Sequence, residues 1–334
     1  MKKKVRFNLI IVSVVVSFLF FYNGNTDKLF VFDSDNIPIC KLAFKEFKWT
    51  VLKKNVELNK LDLEEMQGHT QGIQFERNQN LIFTANGGPK NNINIYNPLN
   101  KTKVSSITLP IATAGIVTTK NNKGEINVLV TDYNNSEVLY LDENLNIINN
   151  IKLPKDFKSI VGITNLDDGR FVVPSRSNDK FAVIDLSNEK KVEIFRSNID
   201  DKNNVTYDVE YSDGCFFLNY REVGKILLGY FDNNIFKIKD MDIKLNYPQG
   251  IWLYDQKLFV IETGNHNLIK FDLYKMTKTI SQLPRGVYRS ISGRDDKNII
   301  LSGQVFTKKQ KEILSTKSVT DEQKAILHSL RYKD

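Results

Sequence analysis

Short apolar runs recur along this chain, each closed by a cluster of Asn, Asp, Gly or Ser. Runs of this length, with Val, Ile, Phe and Leu and frequent alternation, are the signature of β-strands rather than helices. The clearest unit starts at Pro248, Gln249, Gly250 and Ile251. It continues through the strand Lys257–Glu262 and a polar turn at Gly264, Asn265 and His266, and ends in Asn267–Asp272. Fainter copies begin at His69, Ala114, Val161, Tyr207 and Arg289. With Gly72, Gly115, Gly162, Val209, Gly250 and Ile291 taken as equivalent, the spacings are 43, 47, 47, 41 and 41 residues. A period near that length, with three or four short strands per unit, is that of a β-propeller blade. A sandwich also repeats strands, but it does not require the same turn chemistry to return at every fourth one.

The spacing therefore predicts an all-β, six-bladed β-propeller over residues 28–306, with five or seven blades left open by the fainter copies. The last unit, at Ile291, lacks outer strands, while the N-terminal runs 28–33, 37–44 and 49–58 belong to no other blade. Because a raw sheet edge invites aggregation, residues 28–58 are expected to complete that last blade. Cys40 then falls in the closing blade and Cys215 in blade four. That separation exceeds the Cα distance of about 7 Å that a disulfide tolerates, so both thiols are expected to be free.

Both ends differ from the repeats. Lys2, Lys3, Lys4 and Arg6 precede an apolar run from Leu9 to Tyr22 broken only by Ser13 and Ser17. A basic segment followed by an apolar one of this length reads as a signal peptide or membrane anchor over residues 1–25. The rest of the chain is then exported: periplasmic, secreted or membrane-anchored facing outward, with membrane contact only through residues 7–22. At the other end, Thr320 and Gln323 fit a capping box, and Ile326, Leu327 and Leu330 make a narrow apolar stripe, so residues 307–334 are expected to form a short helical tail.

The net charge of +8 looks basic until it is located. The N-terminal segment carries +4 and residues 307–334 carry +3, which leaves +1 for residues 7–306. Nucleic-acid binding needs a basic stripe on the folded domain, so that class is set aside. Nothing in the sequence demands a partner subunit, and a monomer is expected.

The Pro248–Asp272 segment closely resembles an NHL repeat, whose pattern runs P-x-G-I, then L-Y-V-A-D, then G-N-H-R-I-x-K-F-D. It departs at Glu262 and at Asn267. The resemblance implies that the first strand of each blade lines the central channel and the second runs back beside it. Strand-one starts and strand-two ends then share a face. On that face fall His69, Gln71, Asp208, Gln249 and Arg289 from the starts, and Asn86, Asp132, Arg176, Arg221 and Glu262 from the ends.

Three chemistries can be built from them. Asn86, Asp132, Asp208 and Glu262 offer the hard oxygen ligands that Ca²⁺ prefers. The gluconolactonase and paraoxonase propellers, similar in blade count, hold a catalytic Ca²⁺ with Glu, Asn and Asp. This chain lacks their leading E-G-P turn, and His69, Thr70, Gln71 and Gly72 stand in its place. Those residues and Ile73 also resemble the F-T-Q-G-L turn of glutamine cyclotransferase propellers. Nucleophilic catalysis has little to draw on, because among three histidines only His69 is aimed at the channel face; His266 reads as a turn residue. Binding has more. Arg176, Arg221 and Arg289 come from three blades and suit bidentate contact with carboxylate or phosphate, and His69, Gln71 and Gln249 add neutral hydrogen-bonding groups. Two readings follow. The first is a non-catalytic binding module for a protein, glycan or small anionic ligand. The second is a Ca²⁺-dependent hydrolase or lactonase of the gluconolactonase type. No other cofactor is implied.

Overall fold

β-Branched and aromatic runs, separated by turns whose Asn, Asp and Gly residues take positive φ at little cost, fold into consecutive antiparallel sheets. In the computed structural model, residues 37–53, 70–87, 91–121, 123–166, 168–187, 191–197 and 206–305 are described. The expected leader, the tail 307–334 and His69 lie outside them.

One strand, β1 (Thr50–Lys53), precedes the ring. Blade one is β2 (Thr70–Glu76), β3 (Leu81–Asn86), β4 (Asn92–Asn97) and β5 (Thr102–Thr108). Blade two is β6 (Thr113–Lys120), β7 (Ile126–Asp132), β8 (Glu137–Leu141) and β9 (Ile147–Lys152). Blade three is β10 (Thr164–Asn165), β11 (Arg170–Pro174), β12 (Lys180–Asp185) and β13 (Lys191–Arg196). Blade four is β14 (Asp208–Ser212), β15 (Cys215–Tyr220), β16 (Lys225–Asp232) and β17 (Ile235–Lys244). Blade five is β18 (Pro248–Tyr254), β19 (Lys257–Glu262), β20 (Asn267–Asp272) and β21 (Thr277–Gln282), and a sixth sheet of two strands follows, β22 (Gly286–Gly293) and β23 (Ile299–Val305). The chain is thus a β-propeller of five blades, four of them four-stranded and blade five extended by β1 to five strands, with a two-stranded sixth sheet among the described residues.

The equivalence read from the spacing is physical. A Cβ on Gly72 would strike the Ala114 carbonyl, and one on Gly115 would strike that of Val161. Gly162 lies beside the Val209 amide, and Gly250 beside that of Ile291. Each inner strand packs on its neighbour at the repeated position. The ring closes where the Phe75 amide donates to Ser292 Oγ (3.0 Å) and Ser302 Oγ donates to the Thr70 carbonyl (3.1 Å).

The core lies between blades. Second strands such as β7 and β15 are buried along their whole length, whereas the outer β5 is almost wholly exposed. Between blades three and four, Phe181, Phe195, Phe216 and Phe236 pack ring on ring. Each such side chain contributes about 1.5–3 kcal/mol through its removal from water.

Of the expected closing segment, residues 28–36 and 54–58 lie outside the described residues; for the described part, 37–53, two expectations fail together. β1 does not complete the last blade: it pairs in parallel with β21, as a fifth strand outside blade five. Before it, the chain crosses blade four and carries the 3-10 turn Lys41–Phe44. There Cys40 is disulfide-bonded to Cys215, with the Cα atoms 4.9 Å apart. Cys40 lies against blade four and not in a closing blade, so the two thiols meet and are not free. Packing explains the route. Cys40, Ala43 and Phe47 cap the apolar core between blades four and five. Trp49 Nε1 donates to the Met241 carbonyl (2.7 Å), and its ring meets Phe271 edge-on at 4.9 Å. Lys239 Nζ donates to the carbonyls of Ala43 and Lys45 (2.8 and 2.6 Å). Gly214 has φ of +77°, and a side chain there would collide with the Pro38 carbonyl, so the first hairpin of blade four is shaped to let this strap pass.

Candidate ligand-binding site at the channel mouth

Strand-one starts and strand-two ends do share a face. Thr70 pairs with Asn86, Thr113 with Asp132, Asp208 with Asn219 and Pro248 with Glu262. The inner strands are irregular near these starts in four sheets. Register shifts span Thr70–Gly72, Thr113–Ile116, Pro248–Ile251 and Tyr288–Ser290. A bulge inserts residues without a cross-strand partner and redirects their side chains. Here the inserted positions include Gln71, Gln249 and Arg289.

The arginines converge on one tyrosine. Arg221 lies over the Tyr207 ring with Cζ 4.2 Å from its centroid, and Arg176 over the same ring at 4.9 Å. Arg221 also lies over the Tyr247 ring, 4.8 Å from its centroid, and Arg176 Nη1 donates to Tyr133 Oη at 3.4 Å. Arg289 Nη1 donates to Gln71 Oε1 at 3.3 Å, joining the sixth sheet to blade one. Burial pushes the Tyr207 phenol above its ordinary pKa, and the positive fields of Arg221, Arg289 and Arg176 offset this only in part. The hydroxyl therefore stays protonated and available as a donor. Tyr247 holds φ at +54°, a costly conformation for a bulky side chain and one that clusters at functional sites. The Thr263 amide donates to its carbonyl at 3.2 Å.

A carboxylate is already present. Glu222 follows Arg221 on a 3-10 turn, Arg221–Val223, that ends at Gly224 with φ of 67°. Its Oε1 accepts from Arg221 Nε at 2.9 Å and also from Arg221 Nη2, and lies 3.8 Å from Arg176 Nη2.

The expected cation ligands are engaged locally instead. Asp132 accepts from the Asn134 amide (2.9 Å) and Asn135 Nδ2 (2.8 Å). Glu262 accepts from the Asn246 amide, Asn265 Nδ2 and Asn267 Nδ2, at 2.9, 2.9 and 2.7 Å. Asn86 accepts from Thr70 Oγ1 (2.5 Å) and donates to Asn92 Oδ1 (2.9 Å). Asp208 accepts from the amides of Val209 (3.0 Å) and Ile251 (3.2 Å). Each residue ties its own turn or the neighbouring inner strand. Among the described residues no three His, Cys, Asp or Glu side chains gather in one place, and the four oxygen ligands expected for Ca²⁺, Asn86, Asp132, Asp208 and Glu262, hold these local partners.

Two channel carboxylates are nevertheless unusual. Burial raises the Asp208 carboxyl to about 7, against the pull of the two amides that it accepts from. Glu210, two residues on, is pushed well above the usual range by burial and by Asp208. Beside them Gln249 is buried, and the Asn219 side-chain amide donates to its carbonyl.

Of the residues expected on this face, the structure brings Arg176 and Arg221 together over Tyr207 and Arg289 to Gln71, while the Gln249 backbone carbonyl accepts from Asn219. Tyr133, Tyr207, Glu222 and Tyr247 were not among the candidate site residues. Tyr207 and Tyr247 stand one residue before Asp208 and Pro248, on the flanks of the strand-one starts, where spacing alone would have found them. His266 is a turn residue as expected, with φ of 54°.

No family model and no curated protein matches this chain. Solved structures do. A streptogramin B lyase is 12% identical with a TM-score of 0.54, covering 75% of this chain and 88% of that one. A catalytically inactive virginiamycin B lyase from Staphylococcus aureus, with quinupristin, is 15% identical with a TM-score of 0.53, covering 79% and 90%. A luciferin-regenerating enzyme is 11% identical with a TM-score of 0.53, covering 72% and 95%. At these identities the likeness is one of fold, and propellers of this kind host both enzymes and binding proteins.

Proposed function

We propose that this chain is an exported β-propeller that binds a small anionic ligand, a carboxylate or phosphate, at the channel mouth. The observation that carries the reading is the stacking of Arg176 and Arg221, from two blades, on one buried Tyr207 ring. The ring contact holds each guanidinium in place and leaves N–H groups for an anion, which competes with Glu222 for the Nε and Nη2 edge of Arg221. Arg289 supplies a third charge from the sixth sheet. The Ca²⁺-dependent hydrolase reading is weaker, because Asp132 and Glu262 would first have to give up the turn amides they hold. Export is supported by the Cys40–Cys215 bridge, since disulfides persist in oxidising compartments. Titration calorimetry with inorganic phosphate and with succinate tests the reading: binding should weaken steeply with salt and be lost in the Arg176→Ala, Arg221→Ala double variant. Equal heats from the double variant and the parent would refute it.

A further inference from the structure

The two arginines and the glutamate between them are not equally fixed. The side chains of Arg176 and Arg221 are 18% and 12% exposed, whereas that of Glu222 is 47% exposed. Both arginines have further partners: Tyr207 and Tyr133 for Arg176, Tyr207 and Tyr247 for Arg221. The turn that carries Glu222 buries none of its residues. The cationic wall is therefore built independently of its internal carboxylate, and a rotation of the Glu222 side chain into solvent would uncover it.

We propose that Glu222 is a displaceable internal ligand that makes the mouth selective for dianions over monoanions. This rests on the anion-binding reading above. A monocarboxylate arriving from solvent would exchange like for like with Glu222, and it would also lose translational and rotational freedom that a tethered side chain has already given up. Such an exchange is unfavourable. An anion with two charges, or two anionic groups, matches the Glu222 contact on Arg221 and adds contacts that Glu222 does not make, to Arg176 at full hydrogen-bond distance and to Arg289. The Tyr207 hydroxyl lies in the field of all three arginines and adds a neutral donor. The ligand class is then a phosphate monoester or a short dicarboxylate, and inorganic phosphate and succinate are probes for the two sources.

Calorimetry on the full chain, with acetate, succinate and inorganic phosphate, tests the proposal in the parent, Glu222→Gln and Glu222→Ala. Both variants should bind acetate about tenfold or more tightly, as expected for one charge-assisted contact set free. The preference for succinate over acetate should shrink correspondingly. Unchanged or weaker acetate binding in both variants, with parental succinate binding and an unaltered melting temperature, would overturn the proposal and leave the anion site standing. If no probe binds the parent or either variant, the anion site itself is wrong. A ratio of succinate to phosphate affinity far from one identifies which dianion the wall fits.

Discussion

The two faces of the ring are held together by different physics. On the strap side, Cys40, Phe47 and Trp49 seal the core between blades four and five with a disulfide, apolar packing and parallel strand pairing. At the mouth, charged and phenolic groups from four blades and the sixth sheet hold one another by stacking and long hydrogen bonds, and a half-exposed carboxylate lies among them. One face is closed against change. The other keeps its polar edges open to exchange. With the mouth as the binding site proposed above, stability and recognition are separated within one repeat architecture, so damage to one should spare the other.

The largest expected effect lies on the strap side. Opening the Cys40–Cys215 bridge with reductant, or replacing both residues by Ala, frees a closure of 175 residues. It should destabilise the fold by about 2–5 kcal/mol, measured by chemical denaturation, with succinate affinity at the mouth unchanged. Loss of binding in the still-folded variant would break the comparison. Next is the mouth itself. Replacing Arg176 and Arg221 by Ala should weaken dianion binding by about 1.5–3 kcal/mol per lost charged hydrogen bond while leaving the denaturation midpoint nearly unmoved. A large shift in midpoint would mean that the arginines hold the blades together. Gly214→Ala should then cost about 1–3 kcal/mol, because positive φ and the Pro38 carbonyl both oppose a Cβ. The added loss on reducing the disulfide should be smaller in that variant, because the strap is already lifted.

The smallest expected effect on binding is that of pH. With Asp208 near 7 in the fold and about 4 when unfolded, the folded state keeps a proton that the unfolded chain releases between those values. Stability from this group is therefore greatest below about pH 4, falls as pH rises through that window, and is fully lost above 7. The negative charge that then appears lies next in sequence to Tyr207. Succinate binding should accordingly weaken by roughly 1 kcal/mol, about fivefold, between pH 6 and pH 8. Asp208→Asn should flatten both profiles. A binding profile unchanged in that variant would assign the titration to another group, with Glu210 the first to replace.

Much of the ring is readable in the sequence. The glycine positions found the inner strands, and the alternation of strand direction explains why Arg176 and Arg221 meet at second-strand ends and Gln71 meets Arg289 near first-strand starts. The engaged carboxylates were not readable, since Asp132 and Glu262 look alike whether they bind a cation or cap a turn. Nor was Glu222, which reads as one more exposed acid until Arg176 arrives beside it from another blade.

The sequence by itself determined the repeat, because each blade is a local unit whose strands, turns and close-packed glycines fall within about 45 residues of one another. The route of the N-terminal strap and the partner of Cys40 were decided only by tertiary structure. Nothing near Cys40 encodes Cys215, and β1 has the same composition whether it closes the last blade or extends blade five. The choice depends on the apolar cleft between blades four and five, which Phe47 and Trp49 fill and which exists only once both blades have formed.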